Sequence, residues 1–185
     1  LPSPGILNGK LIDGLVRDTK FSANRGFYDS PFDLEISTET EGAKIRYTLD
    51  GSEPSESKGI LYNGPININD TTIIRAIAYK DNFTPTNVDT QTYLFPEKVA
   101  VQTNNPAGYP SSWAGVRADY GMDDDPVDFR RAAGDASYSM SAAKTAIADS
   151  LKSITTISIV TDKDNLFDRI KGIYPNPGGR GSQWE

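Results

Sequence analysis

The side chains that most often carry acid–base or nucleophilic chemistry at neutral pH are missing from this sequence. Its 185 residues include no histidine and no cysteine. This excludes imidazole bases, thiol nucleophiles and disulfides, together with most zinc, copper and haem sites. Catalysis would have to use carboxylates, lysine or tyrosine, and no two carboxylates stand in a pattern that predicts a glycosidase pair. We therefore expect no enzyme activity, no catalytic residue and no cofactor.

Two acidic runs contain the oxygen ligands that calcium prefers in proteins. One covers residues 123–128 (DDDPVD) and the other covers residues 162–168 (DKDNLFD). Neither run has the glycine at position six or the terminal glutamate of an EF-hand loop. Short runs of like charge are usually solvated turns. We therefore predict no metal site in either run.

The balance of charge argues against nucleic acid as a partner. Lys and Arg together number 19 and Asp and Glu number 25, so the formal net charge is −6 at pH 7. A protein that binds phosphate backbones by releasing counterions carries charge of the opposite sign. No apolar run approaches the roughly 20 residues that cross a bilayer. We expect neither nucleic-acid binding nor membrane insertion.

Three aromatic residues, Tyr109, Trp113 and Tyr120, lie in a stretch that is rich in proline and glycine. Exposed rings in such a stretch stack on sugar rings, whereas buried rings hold an irregular segment against its domain. Burial is the more common outcome for a large aromatic side chain. We favour packing and keep glycan stacking by these three residues as the alternative.

Asn69 and Asn82 each begin a tripeptide that fits the acceptor pattern for N-linked glycosylation, NDT and NFT respectively. The modification requires an asparagine in a surface loop and a host with the enzymes that attach the glycan. Chance matches to this pattern are common. Both residues are candidates for modification, and the unmodified side chain is the favoured interpretation.

Residues 21–95 have the two-residue period of β-strands. Phe32 and Leu34 alternate with acidic residues, Ile45 and Tyr47 alternate with basic ones, and turn sequences separate such runs. Alternation of this kind gives each strand one apolar and one polar face. Several short strands at this spacing predict a mainly-β protein, with an immunoglobulin or fibronectin-III-like antiparallel β-sandwich over residues 21–95.

Residues 1–20 are predicted to form an extended N-terminal arm, because Asn-Gly and Asp-Gly turns interrupt its apolar pairs. The apolar residues of the arm are Ile6, Leu7, Leu11, Ile12, Leu15 and Val16. Side chains of this kind need a surface to cover them. The covering surface is the chain's own domain, another domain or a second copy, so these residues are candidate partner contacts.

The longest β-run of the sandwich, TIIRAIAY, is apolar on both faces. Alternate residues from Ile74 to Ala78 suit a core, whereas Ile73, Ile77 and Tyr79 fall on the opposite face. An antiparallel sheet with one face in water would have polar residues there. We expect the C-terminal region to fold back over this face, with a neighbouring molecule as the alternative. These three residues are therefore also candidate partner contacts.

Residues 96–185 are predicted to form an irregular C-terminal region, because proline and glycine recur too often for long elements. Residues 141–151 (SAAKTAIADSL) predict a helix with Ser141 as its N-cap. Residues 154–160 (ITTISIV) are rich in β-branched side chains and predict a buried strand. A helical turn or two is expected within residues 162–170.

The sandwich region contains the strand and turn IRYTLDGSEP at residues 45–54, followed by YNGPI at residues 62–66 and by Arg75-Ala76. With these motifs, the stretch from Phe21 to Phe95 resembles the chitobiase/β-hexosaminidase C-terminal-type domain, a fibronectin-III-like accessory of secreted bacterial proteins. The resemblance implies a sandwich fold and brings no catalytic residue.

The flanks contain ADYGMDDDP at residues 118–126, LKSITTISIV at 151–160 and GIYPNPGGRGSQWE at 172–185. These stretches are similar to the junction that leads into a spore-coat (CotH) kinase-like domain in large extracellular proteins. The nucleotide-binding and catalytic motifs of that domain have no positions here, so no kinase activity is implied. The resemblance implies an interior module of a larger exported protein, located outside the cell or at its surface.

These observations predict a non-catalytic structural or adhesive module of an exported bacterial protein. Its partners would be neighbouring protein domains or copies of itself, with polysaccharide as a further candidate. Two alternative roles stay open. One is a subunit of an extracellular fibre, assembled by exchange of strands or arms between copies. The other is a carbohydrate-binding accessory module.

Overall fold

A computed structural model of the chain describes residues 13–122 and 139–178. The strands in chain order are β1 (Gly14–Leu15), β2 (Lys20–Phe21), β3 (Gly26–Phe27), β4 (Phe32–Leu34), β5 (Ile36–Ser37), β6 (Lys44–Thr48), β7 (Ile60–Leu61), β8 (Ile66–Ile68), β9 (Thr72–Tyr79), β10 (Phe83–Thr84), β11 (Asp89–Leu94), β12 (Ser112–Trp113) and β13 (Val116–Arg117). The helices are α1 (Pro96–Val99), α2 (Met140–Ser153) and α3 (Lys163–Phe167).

A five-stranded sheet with the order β3-β11-β9-β6-β7 forms one layer of the fold. Its central strand β9 pairs antiparallel with β6 and with β11, in registers that place Ala78 opposite Ile45 and Ile74 opposite Gln91. The antiparallel pairs β4–β8 and β2–β5 supply the second layer. The mainly-β sandwich that the sequence predicts is confirmed.

Apolar side chains from both layers meet in one core. The core residues are Val16, Leu34, Ile36, Ile45, Ile68, Ile74, Ala76, Ala78, Tyr93 and Phe95. Within β9 every second residue from Ile74 to Ala78 faces this core, as the two-residue period of a strand requires. Tyr62 joins the two layers, because its hydroxyl oxygen accepts a hydrogen bond from the Ile36 N–H at 3.1 Å.

The second half of the predicted arm belongs to the sandwich. Strand β1 pairs in parallel with β10, and the Val16 N–H donates to the Thr84 carbonyl at 2.9 Å. Val16 is buried in the core, whereas Leu15 is exposed. The β-structure therefore begins upstream of the predicted boundary at residue 21. The sequence did not predict this extension, because backbone pairing of a turn-rich arm leaves no side-chain pattern. The candidate contacts Ile6, Leu7, Leu11 and Ile12 lie outside the described residues.

A loop of the sandwich itself, residues 49–59, covers part of the outer face of the five-stranded sheet, and residues 156–160 of the C-terminal region lie over β11 on the same face. The Arg46 guanidinium donates from Nη1 to the Gly59 carbonyl at 2.8 Å and from Nε to the Glu56 carbonyl at 3.0 Å. Arg75 donates to the Gly51 carbonyl at 3.1 Å. Both arginines project from the outer face, because they alternate with core residues along β6 and β9. This loop was not among the covers that the sequence suggested.

The three candidate contact residues on this outer face are buried to different degrees. Ile77 and Tyr79 are buried, and Ile73 is half-buried. The Tyr79 hydroxyl oxygen accepts a further hydrogen bond from Arg46 Nε at 3.2 Å. Ile77 and Tyr79 therefore serve the packing of the sandwich, and neither offers an open surface to a partner in this structure.

Helices α1 and α2 pack against each other after the last sandwich strand. Helix α2 begins after Ser139, whose side chain accepts a hydrogen bond from the Ala142 N–H at 3.2 Å. The helix is therefore longer at both ends than the predicted residues 141–151, and Ser139 replaces Ser141 as the N-cap because it lies one residue before the first helical turn. Lys152 near its C-terminus contacts the Asp29 carboxylate of the sandwich at 2.6 Å.

Residues 154–160, which the sequence predicts as a buried strand, do not form one. They pair with no strand among the described residues, and every residue from Ile154 to Ile159 is exposed. The prediction was wrong because β-branched composition reports a preference for extended backbone and carries no information about a partner strand. We refer to residues 154–160 as the unpaired segment.

Candidate functional site

The three aromatic residues singled out from the sequence lie together in the structure. The Tyr120 ring centroid is 5.6 Å from that of Tyr109 and 5.5 Å from that of Trp113, with interplanar angles of 62° and 83°. Rings at such angles pack edge to face and form no flat platform of three. Phe167 and Tyr174 join them, with centroids 5.4 Å apart and planes at 10°. These five residues form the aromatic cluster.

Hydrogen bonds and a cation fix the aromatic cluster to the surrounding loops. The Tyr120 hydroxyl donates to the Pro110 carbonyl at 2.9 Å, and Lys163 Nζ lies 4.3 Å from the Tyr109 ring centroid. Burial, with smaller effects from Tyr109 and Tyr174, raises the pKa of the Tyr120 hydroxyl above its ordinary value. The ring contacts thus hold together a region that has few long elements, while Tyr109 and Tyr174 stay exposed at its surface.

A groove of about 620 Å³ opens beside the aromatic cluster. Trp113 and Phe167 supply aromatic walls, Pro175 supplies an aliphatic one, and Arg169 supplies a positive charge at the rim. Trp113 is partly exposed, as is Phe167. An open groove of this kind can bind a sugar ring by stacking on the aromatic side chains and by hydrogen bonds to the guanidinium. The same aromatic rings already stabilise the region by packing.

Replacing Phe167 with alanine is expected to loosen the aromatic cluster while the sandwich stays folded. Phe167 contacts Tyr109 and Trp113, each at 5.8 Å between centroids, so the change removes the ring that these residues share. We expect a loss of about 1–3 kcal/mol from the stability of this region, below the cost at a fully buried phenylalanine. Near-ultraviolet circular dichroism should weaken, and far-ultraviolet strand signal should persist. The matched variant Tyr109→Phe keeps its ring and should retain the near-ultraviolet signal; equal loss in both variants would contradict a packing role.

Both candidate glycosylation residues lie in exposed turns. Asn69 follows β8, and Asn82 lies between β9 and β10 with a positive φ of 62°. The Asn82 carbonyl accepts a hydrogen bond from the Asp13 N–H at 2.7 Å. Their side chains are accessible, which is the structural condition for modification.

The unpaired segment has its polar and apolar sides in the opposite places from those of a normal surface strand. Ile157 and Ile159 are 82% and 80% exposed. The residues between and beside them, Thr156, Ser158 and Val160, face the sandwich. A surface strand usually turns its apolar side inward and its polar side to water. The segment therefore presents Ile157 and Ile159 to the surroundings, and it turns two hydroxyl residues and Val160 toward its own domain.

One side-chain contact tethers the unpaired segment to the sheet. The Ser158 and Thr92 hydroxyl oxygens lie 2.8 Å apart. Around this contact, a gap of about 500 Å³ separates the segment from β11, so the segment does not pack tightly on the sandwich. Further along, the Thr161 carbonyl passes close to Gly51, where a Cβ atom would come within 2.8 Å of that oxygen. The segment is tethered near its middle by Ser158, and the chain passes close to Gly51 just beyond the end of the segment.

The backbone of the unpaired segment is also without partners. No backbone hydrogen bond joins residues 155–160 to any other residue in the described ranges. Backbone N–H and C=O groups are strong hydrogen-bonding groups, and an extended run of them is a template for another strand. The segment combines a free backbone edge with an exposed apolar side, and it is the candidate site for protein contact.

Carboxylates elsewhere in the described ranges do not gather. Within residues 13–122 and 139–178, no three Asp or Glu side chains lie close enough to hold a metal ion. The Asp168 carboxylate accepts hydrogen bonds from the N–H groups of Ile170 and Lys171, which lower its pKa. The run at residues 123–128 lies outside the described residues. No helix in the described part of the chain is long and apolar enough to cross a membrane.

Sequence reasoning named the aromatic trio but missed Phe167, Tyr174 and the reversed sides of the unpaired segment. No regular spacing in the sequence predicts that Trp113 and Tyr174 lie together, because the chain between them is largely irregular. The alternation of isoleucine with hydroxyl residues from Thr156 to Ile159 was a usable signal. It indicates two different sides, and it cannot tell which side faces the domain.

Residues 34–93 match the family model described as Fn3 associated. The match spans the chain from the end of β4 to Tyr93 in β11, so the unpaired segment and the aromatic cluster lie outside it. It supports the fibronectin-III-type resemblance of the sandwich and gives no support to the spore-coat kinase-like resemblance of the flanks. No curated protein and no solved structure matches the chain.

Proposed function

From the match of residues 34–93 to the Fn3-associated family, we propose that this chain is a non-catalytic module of a larger exported bacterial protein. It works by contacting other protein domains or copies of itself. The contact surface is the unpaired segment. The observation that carries this proposal is the exposure of Ile157 and Ile159 on a segment whose backbone has no partner.

The sandwich and helix α2 hold the unpaired segment in place for such a contact. Lys152 bonds Asp29 immediately before the segment, and Ser158 bonds Thr92 within it. A strand that is already extended and anchored loses less conformational entropy on pairing than a disordered peptide would. The core of the sandwich then acts as a rigid support.

Hydrogen–deuterium exchange at micromolar concentration tests whether the segment is available. We expect the amides of residues 155–160 to exchange almost without protection, while those of β9 stay protected by the ladders on both sides. Ser158→Ala removes the tether to Thr92 and should increase proteolytic cleavage within the segment severalfold. Thr155→Ala, at an exposed position without that contact, should leave cleavage unchanged. Strong protection of residues 155–160 in the wild-type chain would contradict the proposal, because the backbone would then already be paired.

The two other roles have weaker support in the geometry. A fibre joined through the N-terminal arm would use residues 1–12, since Val16 and its neighbours in β1 already pair within the chain. A carbohydrate-binding role would use the groove beside Trp113 and Arg169 instead of a flat platform of rings. The exposed turns at Asn69 and Asn82 fit an extracellular setting and do not discriminate among the three roles.

A further inference from the structure

We propose that the unpaired segment pairs with the same segment of a second copy, as antiparallel strands related by a two-fold axis at Ile157. This inference rests on the proposed function and names its partner. It starts from the free backbone of residues 155–160, which offers donors and acceptors for a ladder. In such a pair each copy contributes one strand edge, so a single sequence supplies the donors and acceptors on both sides of the contact.

The sequence of the segment is close to symmetric about Ile157. Antiparallel pairing at this axis places Ile154 opposite Val160 and Thr156 opposite Ser158, which are pairs of like character, whereas Thr155 lies opposite Ile159. Ile157 meets its own copy, with Cβ atoms about 4.5–5.5 Å apart in such a pair. The most exposed isoleucine of the segment thereby gains an apolar neighbour.

Charge also permits this pairing. No charged residue lies between Lys152 and Asp162, so the ladder opposes no like charges. In antiparallel pairing about Ile157, residue 152 of one copy lies opposite residue 162 of the other. The helix end that carries Lys152 therefore approaches an acidic residue of the second copy, which favours this direction of pairing over a parallel one.

The contact is small, and its affinity should be correspondingly low. A ladder of seven residues buries less than the roughly 1,200–2,000 Å² of a stable interface. We expect a dissociation constant on the order of 0.1–1 mM for the isolated chain. Two copies close the contact, so it produces dimers and no fibre.

Sedimentation velocity of the full chain over a concentration series tests the pairing. We expect a monomer–dimer equilibrium in the wild type. Ile157→Lys and Ile157→Glu should each weaken association at least tenfold, because like charges then meet at the axis. An equimolar mixture of the two variants should restore dimers, because the introduced side chains have opposite charges. Ile157 is exposed, so neither substitution disturbs the core.

The matched control is Ile170→Lys, at an isoleucine that is equally exposed and lies outside the segment. It should leave the equilibrium unchanged. A chain that stays monomeric at millimolar concentration would overturn self-pairing, as would a mixture of the Ile157 variants that fails to dimerise. If residues 155–160 still exchange freely in that monomer, the proposed function stands and its partner is another protein. If they are protected in the monomer, both proposals fail.

Discussion

Replacing Tyr93 with alanine should lower the free energy of unfolding by about 3–5 kcal/mol, the range for a buried aromatic side chain. Tyr93 is fully buried in β11, and its ring contacts those of Tyr28 and Phe32 at 5.6 and 5.2 Å between centroids. Its hydroxyl donates to the Ala23 carbonyl at 3.0 Å. The alanine variant therefore loses edge-to-face ring contacts and leaves a cavity between the layers. Urea denaturation followed by far-ultraviolet circular dichroism measures the change.

The conservative variant Tyr93→Phe separates the ring from the hydroxyl. It keeps the packing and loses one hydrogen bond, so we expect a loss of about 0.5–1.5 kcal/mol. A loss as large as that of the alanine variant would show that the hydroxyl, and not the ring, stabilises the core. Two near-neutral variants would contradict the placement of Tyr93 in the core.

The same hydroxyl makes stability depend on alkaline pH. Burial, followed by the neighbouring Tyr28, raises the pKa of the Tyr93 hydroxyl far above its ordinary value. A group whose pKa is raised in the folded state contributes stability that is complete below its unfolded pKa, about 10, and is lost as pH rises above it. Wild-type stability should therefore fall more steeply above pH 10 than that of Tyr93→Phe. Parallel pH profiles would contradict the assignment.

The sandwich could be predicted from sequence because its information is local. Alternation along β4 and β6 indicates which side chains face inward, and the turn at Asp50-Gly51 separates strands. Pairing of β1 with β10 could not be predicted in this way. It depends on backbone groups 69 residues apart, from Gly14 to Phe83, in an arm without alternation. Local pattern indicates which face is apolar and says little about which distant strand joins an edge.

The candidate site was harder to predict for a related reason. Residues 154–160 have the composition of a buried strand whether a partner is present or absent, so the sequence could not predict that Ile157 would be exposed. The aromatic cluster joins Trp113 to Phe167 across more than fifty residues, without a periodic signal. The loop over the outer face of the sheet is held by Arg46 and Arg75, whose side chains donate to its backbone carbonyls. All three features follow from tertiary contacts that propensity does not encode.

Replacing Arg46 with alanine is the second large effect that we expect. Its guanidinium donates to the carbonyls of Glu56 and Gly59 and to the Tyr79 hydroxyl. Hydrogen bonds from a charged donor stabilise by roughly 1.5–3 kcal/mol each, and bonds that share one side chain are not additive. We therefore expect a loss of about 2–4 kcal/mol in urea denaturation. Amide exchange in residues 55–59 should increase in the same variant.

Two further variants determine whether the shape of the Arg46 guanidinium matters. Arg46→Lys keeps the charge, but one ammonium group cannot reach acceptors on both sides of the side chain as a planar fork does, so stability should recover only in part. Arg25→Ala removes an exposed arginine at the rim of the sheet and should change stability by less than about 0.5 kcal/mol.

Full recovery in Arg46→Lys would mean that charge alone holds the loop. If residues 55–59 stay protected in Arg46→Ala, the loop is held by other contacts, and the cover over Ile77 and Tyr79 needs another explanation. If the loop opens as expected, the outer face gains an apolar patch beside β9. Binding of an apolar dye should then increase, and the increase should be absent from Arg25→Ala. The two arginines differ in what they contact rather than in charge, so this contrast tests the closure of the face directly.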